Sequence, residues 1–379
     1  MKKIKNRFKL LTLGLAIGIS GGGIFSSPSA HALAIINTYN FSGSATVTDS
    51  QNTGAQTKTT NNNAALGTTA INQFDSSLGV LTGVTVNLTS IQTQTTQTTS
   101  TAGGGSGANT NVTSSGTATS SVKLEGAGIS YQSANLAVTD DCAGKRKDDC
   151  TGAASSNSQN VNTSASPSDL NTFTGTGDIT LTRTATTLEA TQLSNVFTGT
   201  ESTQGTVGWD GQLQVTYDYL LHAAPSFSET TQVLVLDVDF GTLAIGDSAT
   251  QSFDLFNLAS INRTGLDLDS WIETDLDNKF AIDDLSFTNL SQGASSNGLI
   301  TFDTSNAGNF NASFVLNLSD ANIGASDSWH HYQLTLNIRG IVGETTSSPA
   351  QVNDIPEPGM LALLSIGLFG LLGLTRRRN

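Results

Sequence analysis

Hydrophobic positions in this chain fall on a two-residue period and almost nowhere on a helical one. Val84, Val86 and Leu88 alternate with polar residues, as do Ile179 and Leu181, then Leu213, Val215, Tyr217 and Tyr219. Phe314, Leu316 and Leu318 repeat the pattern, followed by Leu334, Leu336 and Ile338. Successive side chains of a strand point to opposite faces, so this alternation predicts antiparallel strands with one buried face and outward Thr and Ser. Gly, Asn, Asp and Ser between the runs supply the turns. The prediction is an all-β protein of two antiparallel β-sandwich-like modules.

The two ends depart from that pattern. Lys2, Lys3, Lys5, Arg7 and Lys9 precede an apolar stretch, Leu10–Ile19, and Ala30-His31-Ala32 has the A-x-A form of a signal cleavage site. Residues 1–32 therefore read as a signal peptide, with cleavage set by Ala30 and Ala32 and a mature chain starting near Leu33. At the other end Pro356-Glu357-Pro358 leads into an apolar run, Met360–Leu374, closed by Arg376, Arg377 and Arg378. The run has no polar face, so a C-terminal hydrophobic helix is expected. Its fifteen residues would span about 22 Å, short of a hydrocarbon core of about 30 Å. That suits a temporary tether in the inner membrane, with the arginines left cytoplasmic.

Proline, glutamate and proline, an apolar helix and an arginine cluster, in that order over residues 355–379, resemble the PEP-CTERM sorting signal of bacterial exported proteins. The resemblance implies recognition by an exosortase, a membrane transpeptidase-like enzyme, with Pro356, Glu357, Pro358 and Arg376–Arg378 as the sorting motif. It also implies an association with exopolysaccharide or biofilm.

Between the ends, the division expected is a first module over 33–220, a linker at 221–232 around Pro225, a second module over 233–342 and a linker at 343–354. Tracts at Thr93–Thr101 and Gly103–Ser115 are low in complexity and read as polar strands joined by flexible loops. In the first module Phe74-Asp75-Ser76-Ser77-Leu78-Gly79-Val80-Leu81, Phe173-Thr174-Gly175-Thr176-Gly177-Asp178-Ile179 and Val215-Thr216-Tyr217-Asp218-Tyr219 resemble the choice-of-anchor E type of surface domain. In the second, Phe240-Gly241, Gly246, the strand 251–256 and Asn257 resemble choice-of-anchor D and related immunoglobulin-like domains, although their late proline is missing.

The chain carries 17 Lys and Arg against 31 Asp and Glu. Eight of the basic residues and one of the acidic lie in the two terminal segments, so the exported part carries about −21. Such a surface repels a polyanion, and nucleic acid is excluded as a partner. Cys142 and Cys150 bracket a charged loop; in an exported chain a disulfide is the leading reading, ahead of a metal site or a redox pair.

Chemistry is sparse. His222, His330 and His331 are the histidines left after signal removal, and Trp329-His330-His331-Tyr332 reads as one exposed and one half-buried histidine beside a strand. No nucleophile elbow, zinc-protease helix or phosphate loop is present, so no catalytic residues and no cofactor are assigned. The acidic group Asp267, Asp269, Glu273, Asp275 and Asp277 is a weak Ca²⁺ candidate, because its spacing does not follow the usual calcium loop. The expectation is a non-catalytic surface or extracellular-matrix protein. A carbohydrate-binding module, with Trp209, Trp271 or Trp329 stacking on sugar rings of an extracellular polysaccharide, and an extracellular hydrolase are the alternatives.

Overall fold

The computed structural model describes residues 32–343, apart from 53–55, 102–108, 194, 195, 198 and 275–277. The signal segment with Ala30, the sorting segment with its apolar helix, and Asp275 and Asp277 lie outside the described residues. The protein is nearly all β, 67% strand and 3% helix. Its strands divide between two units.

Of the described residues, the first unit comprises those up to His222 together with Ser260–Thr264 and Asn322–Trp329. Its strands are β1 (Leu33–Phe41), β2 (Ser44–Gln51), β3 (Thr57–Thr60), β4 (Ala64–Asn72), β5 (Val80–Ser100), β6 (Asn111–Gly126), β7 (Ile129–Gln132), β8 (Leu136–Lys145), β9 (Cys150–Thr151), β10 (Ser155–Asn160), β11 (Thr163–Ala165), β12 (Asp178–Gln192) and β13 (Glu201–Leu220). One sheet runs β1-β13-β5-β10, with β2 also on β13 and with β9 and β11 also on β5. The other runs β3-β12-β6-β7, with β4 on β12 and β8 on β6. Every pairing in this unit's two sheets is antiparallel.

The architecture follows from a few very long central strands. β5 and β13 pair from Glu201–Ser100 to Leu220–Val80, and at about 3.3 Å per residue β5 is roughly 70 Å long. Each long strand is flanked by short ones in succession. β2 covers one half of β13 and β1 the other, while β3 and β4 divide β12 in the same way. Short edge strands limit edge-to-edge association. At the break between β1 and β2 the Gly43 carbonyl accepts the Trp209 amide at 2.8 Å. A Cβ on Gly43 would stand 2.0 Å from the Leu66 carbonyl oxygen, so this close crossing requires glycine.

The inward face of β5 has two characters. Val84, Val86 and Leu88 meet Leu213, Val215 and Tyr217 of β13 and Ile71, Leu124, Leu181 and Leu188 of the other sheet in one apolar core. Beyond Leu88 the same face carries Ser90, Gln92, Gln94, Thr96 and Thr98, all buried. Within the low-complexity tract Thr93–Thr101, read as polar strand and flexible loop, the strand up to Ser100 thus sends every second side chain into the interior. The burial is tolerable because most of these groups find partners, although Gln94 Oε1 accepts no hydrogen bond. Gln92 Nε2 donates to Ser120 Oγ at 2.9 Å and its carbonyl accepts from Ser133 Oγ at 2.8 Å. Thr96 and Thr98 donate to the carbonyls of Val138 and Asp140, at 3.0 Å each. Trp209 stands at the boundary, fully buried, with Nε1 donating to Ser90 Oγ at 2.9 Å and its ring edge-on to Phe41 at 5.4 Å.

Of the described residues, the second unit comprises Ala223–Ala259, Gly265–Ala321 and those from His330 to Gly343. Its strands are β14 (Pro225–Ser226), β15 (Val235–Ala244), β16 (Ala249–Asn257), β17 (Leu266–Glu273), β18 (Phe280–Asp283), β19 (Ser295–Phe302), β20 (Gly308–Asp320) and β21 (His331–Gly343). They form the sheets β14-β16-β19-β18 and β15-β21-β20-β17. Phe253, Leu255, Ile300 and Phe302 face Phe310, Phe314, Leu316, Leu334, Leu336 and Ile338 across the core. Two departures from expectation stand out. The segment 221–232 is not a plain linker: Pro225 and Ser226 pair with Asn257 and Phe256. And β15 runs parallel to β21, an arrangement strictly antiparallel reading missed because the partners lie a hundred residues apart.

Candidate functional site

The three phrases that carry the first module's resemblance converge at one corner of the first unit. The Phe74 amide donates to the Phe173 carbonyl at 2.8 Å, and Gly175 N donates back to the Phe74 carbonyl at 2.9 Å. Phe74 packs 5.2 Å from the ring of Tyr219, and the Tyr217 hydroxyl donates to the Asn72 carbonyl. Burial holds the Tyr217 phenol well above its usual range. Asp75 caps the short turn at Ser76–Leu78 by accepting the Ser77 amide, which holds its carboxyl below the usual carboxylate range. Asp75 and the Tyr217 hydroxyl both bond to backbone here.

The second module's motif residues are also structural. Gly241 (φ 68°) sits where the β15–β21 register shifts, and its amide donates to Asp239 Oδ1 at 2.8 Å. That bond, with Arg339, holds the Asp239 carboxyl below the usual carboxylate range. Asn257 is fully buried; its side chain accepts from Ala224 N and donates to the Leu290 carbonyl, at 3.0 Å each. Buried Asp320 similarly gathers Ala223 N, His330 N and the Tyr332 hydroxyl at 2.7, 2.7 and 2.9 Å.

The outward face of β15-β21-β20 is a polar groove of about 580 Å³. Because Ala312, Phe314 and Leu316 point inward, Asn311, Ser313 and Asn317 point out. Ser313 Oγ donates to Asn337 Oδ1 at 3.1 Å, Asn337 Nδ2 to Asp237 Oδ1 at 2.8 Å, and Arg339 pairs with Asp239 at 2.7 Å. The row continues through Gln333, Asn317 and Ser270, each 3.1 Å from the next. The face is rich in amides and hydroxyls, with its Arg339 cation matched by Asp239.

Of the three tryptophans, Trp209 is core and Trp329 is half-buried, its Nε1 on the Ile323 carbonyl at 2.7 Å. Trp271 is 41% exposed. It borders a groove of about 460 Å³ with Leu268, Leu285 and Phe287. The histidines do not assemble. His222 Nε2 meets the Ser76 carbonyl at 2.8 Å, and His330 and His331 are both exposed, where one half-buried ring was expected. Asp267 accepts the Asn289 amide and Asp269 the Ser319 hydroxyl at 2.9 Å. Among the described residues no group of three His, Cys, Asp or Glu side chains converges on a point, and no helix is long and apolar enough to cross a membrane.

Cys142 and Cys150 form a disulfide with Cα atoms 5.8 Å apart, packed with Phe197, Val112 and Val196. Next to it lies a cluster the sequence did not reveal. Glu201, fully buried, accepts the amides of Val196 and Phe197 on Oε1 at 2.6 Å each, and Ser114 Oγ and Gln192 Nε2 on Oε2 at 2.5 and 3.1 Å. Its one advance signal was polar residues falling on the inward period of β12 and β13.

Residues 354–378 match the family model for the PEP-CTERM protein-sorting motif. The motif implies an exported protein sorted by an exosortase. No curated protein matches the chain. Among solved structures, the VesB protease of Vibrio cholerae is similar over 35% of this chain and 37% of its own, at 16% identity and a TM-score of 0.23. The ASH/PapD-like domain 7 of human CEP192 is similar over 32% of this chain and 87% of its own, at 14% identity and TM-score 0.22. Dimeric latent PorU from Porphyromonas gingivalis is similar over 74% of this chain and 21% of its own, at 10% identity and TM-score 0.16.

Proposed function

We propose that this chain is a non-catalytic surface or extracellular-matrix protein, delivered by a signal peptide and handed to an exosortase at its C-terminus. The sorting motif at 354–378 carries the reading. The apolar run 360–374 holds the chain in the inner membrane until the exosortase acts, and the two β-sandwich units are the cargo. Signal cleavage after Ala32 leaves β1, which starts at Leu33, intact. Asp75, His222 and Asp320 are each engaged with a backbone amide or carbonyl, which favours a scaffold. Pro356→Ala combined with Glu357→Ala is expected to leave an unprocessed precursor in the membrane fraction. A variant of the same size and location as the parent protein overturns the proposal.

A second reading, binding of extracellular polysaccharide, is favoured by Trp271. An exposed indole beside a groove, with an amide- and hydroxyl-rich face of near-neutral charge on the same sheet, suits a polyhydroxylated ligand. Trp271→Ala should abolish retention of the purified protein on the polysaccharide that retains the parent; equal retention overturns this reading.

A further inference from the structure

The buried polar end of the first unit brings together the parts of an acyl transfer. Gln192 ends β12, between Thr57 and Gly116 in its sheet, and Thr203 lies in β13, between Asp49 and Thr98 in the facing sheet. Both side chains are fully buried. Thr203 Oγ1 donates to Gln192 Oε1 at 2.5 Å. With a carbonyl bond of about 1.23 Å, the hydroxyl oxygen stands between about 2.8 and 3.7 Å from the carboxamide carbon, for any approach from perpendicular to in line. That brackets the near-attack distance of about 3–3.5 Å.

The other half of the amide is held as firmly. Gln192 Nε2 donates to Ser114 Oγ at 2.7 Å, to the Ser115 carbonyl at 3.2 Å and to Glu201 Oε2 at 3.1 Å. These three acceptors fix which way the amide faces, carbonyl to the threonine and nitrogen to the carboxylate. The room for the hydroxyl comes from Gly116, where a Cβ would stand 1.8 Å from Thr203 Oγ1. A hydroxyl nucleophile, an oriented carboxamide and a carboxylate beside the departing nitrogen thus meet where water is excluded.

We propose that Thr203 and Gln192 join in an intramolecular ester. The Thr203 Oγ–H and Gln192 Cδ–Nε2 bonds break and the Oγ–Cδ bond forms; the hydroxyl proton, directed at Gln192 Oε1, ends on the amide nitrogen held by Glu201 Oε2, and that nitrogen leaves as ammonia. No oxidant, reductant or second substrate is needed. The product ties the two facing sheets covalently, beside the Cys142–Cys150 disulfide, and burial protects the ester from hydrolysis. A protein held outside the cell gains a cross-link that reductants do not open.

Mass spectrometry of the purified parent protein tests this directly. The intact mass should be lower by one ammonia than the disulfide-bonded sequence requires. Cleavage after glutamate (Glu189, Glu201 and Glu229) should leave fragments 190–201 and 202–229 joined, and hydroxylamine should separate them. Thr203→Ser should keep the ammonia loss; Thr203→Val and Glu201→Gln should abolish it. An unaltered intact mass, or an ammonia loss with the two fragments free, overturns the proposal, and both are read on the parent protein whether or not the variants fold.

Discussion

Glu201 makes the sharpest prediction about stability. Its Oε1 holds the amides of half-buried Val196 and buried Phe197 at 2.6 Å each. Glu201→Ala removes the acceptor of both. An orphaned buried donor costs about 1–3 kcal/mol, so the Phe197 amide alone should cost that much, before the half-buried Val196 amide or any cavity is counted. Glu201→Gln keeps one oxygen for those amides and sets its new NH₂ against Gln192 Nε2 and Ser114 Oγ, a milder conflict of about 1–3 kcal/mol. A domain's whole stability is about 5–15 kcal/mol, so the alanine variant should lose much of the first unit's cooperative transition. Guanidinium unfolding followed by circular dichroism and by tryptophan fluorescence, to which buried Trp209 contributes, measures both variants. The reasoning fails if Glu201→Ala lies within about 1 kcal/mol of the parent, or if glutamine is as damaging as alanine.

The tryptophans should separate by burial: Trp209→Ala should cost about 3–5 kcal/mol, and Trp271→Ala about 0.5 kcal/mol or less, in the same unfolding assay. Replacing both Cys142 and Cys150 by serine opens a short loop and should cost about 2.5 kcal/mol by the chain-entropy estimate, seen as a lower unfolding midpoint without reductant. The hydrogen bond from Lys279 Nζ, with those from Ser305, holds the Asp303 carboxyl at about 2 against its ordinary 3.8. A depressed acid stabilises the fold above its unfolded value, so this contribution is whole above pH 3.8 and is lost as pH falls toward 2. A carboxyl titration by NMR should show that midpoint, and Lys279→Ala should return it toward 3.8; an unmoved midpoint refutes the assignment.

Much of the fold was legible because burial on one face of a strand writes itself into the sequence as a period of two. Val84 to Leu88, Leu213 to Tyr217, Phe314 to Leu318 and Leu334 to Ile338 all fall inside strands with those residues buried. The sorting motif was legible for another reason, since a peptide signal is read by its processing enzyme as local sequence. Gln92, Gln94, Thr96 and Thr98 were not legible as core. Alternation alone leaves open which face of a polar strand turns inward, and here the facing sheet supplies Ser120, Ser133 and the carbonyls of Val138 and Asp140 as partners for Gln92, Thr96 and Thr98. The parallel edge of β15, the pairing of Pro225–Ser226 and the return of Ser260–Thr264 and Asn322–Trp329 to the first unit are likewise contacts between residues far apart in the chain.

By itself, then, the sequence determined the strand periodicity, the C-terminal sorting motif and the acidic net charge, all properties of neighbouring residues or of simple sums. Only the tertiary structure decided that Trp209 is core while Trp271 faces solvent, and that Glu201, Gln192, Ser114 and Thr203 share one dry pocket. Those outcomes depend on which strands meet across a sandwich, and that is settled by packing and by hydrogen-bond satisfaction over the whole unit.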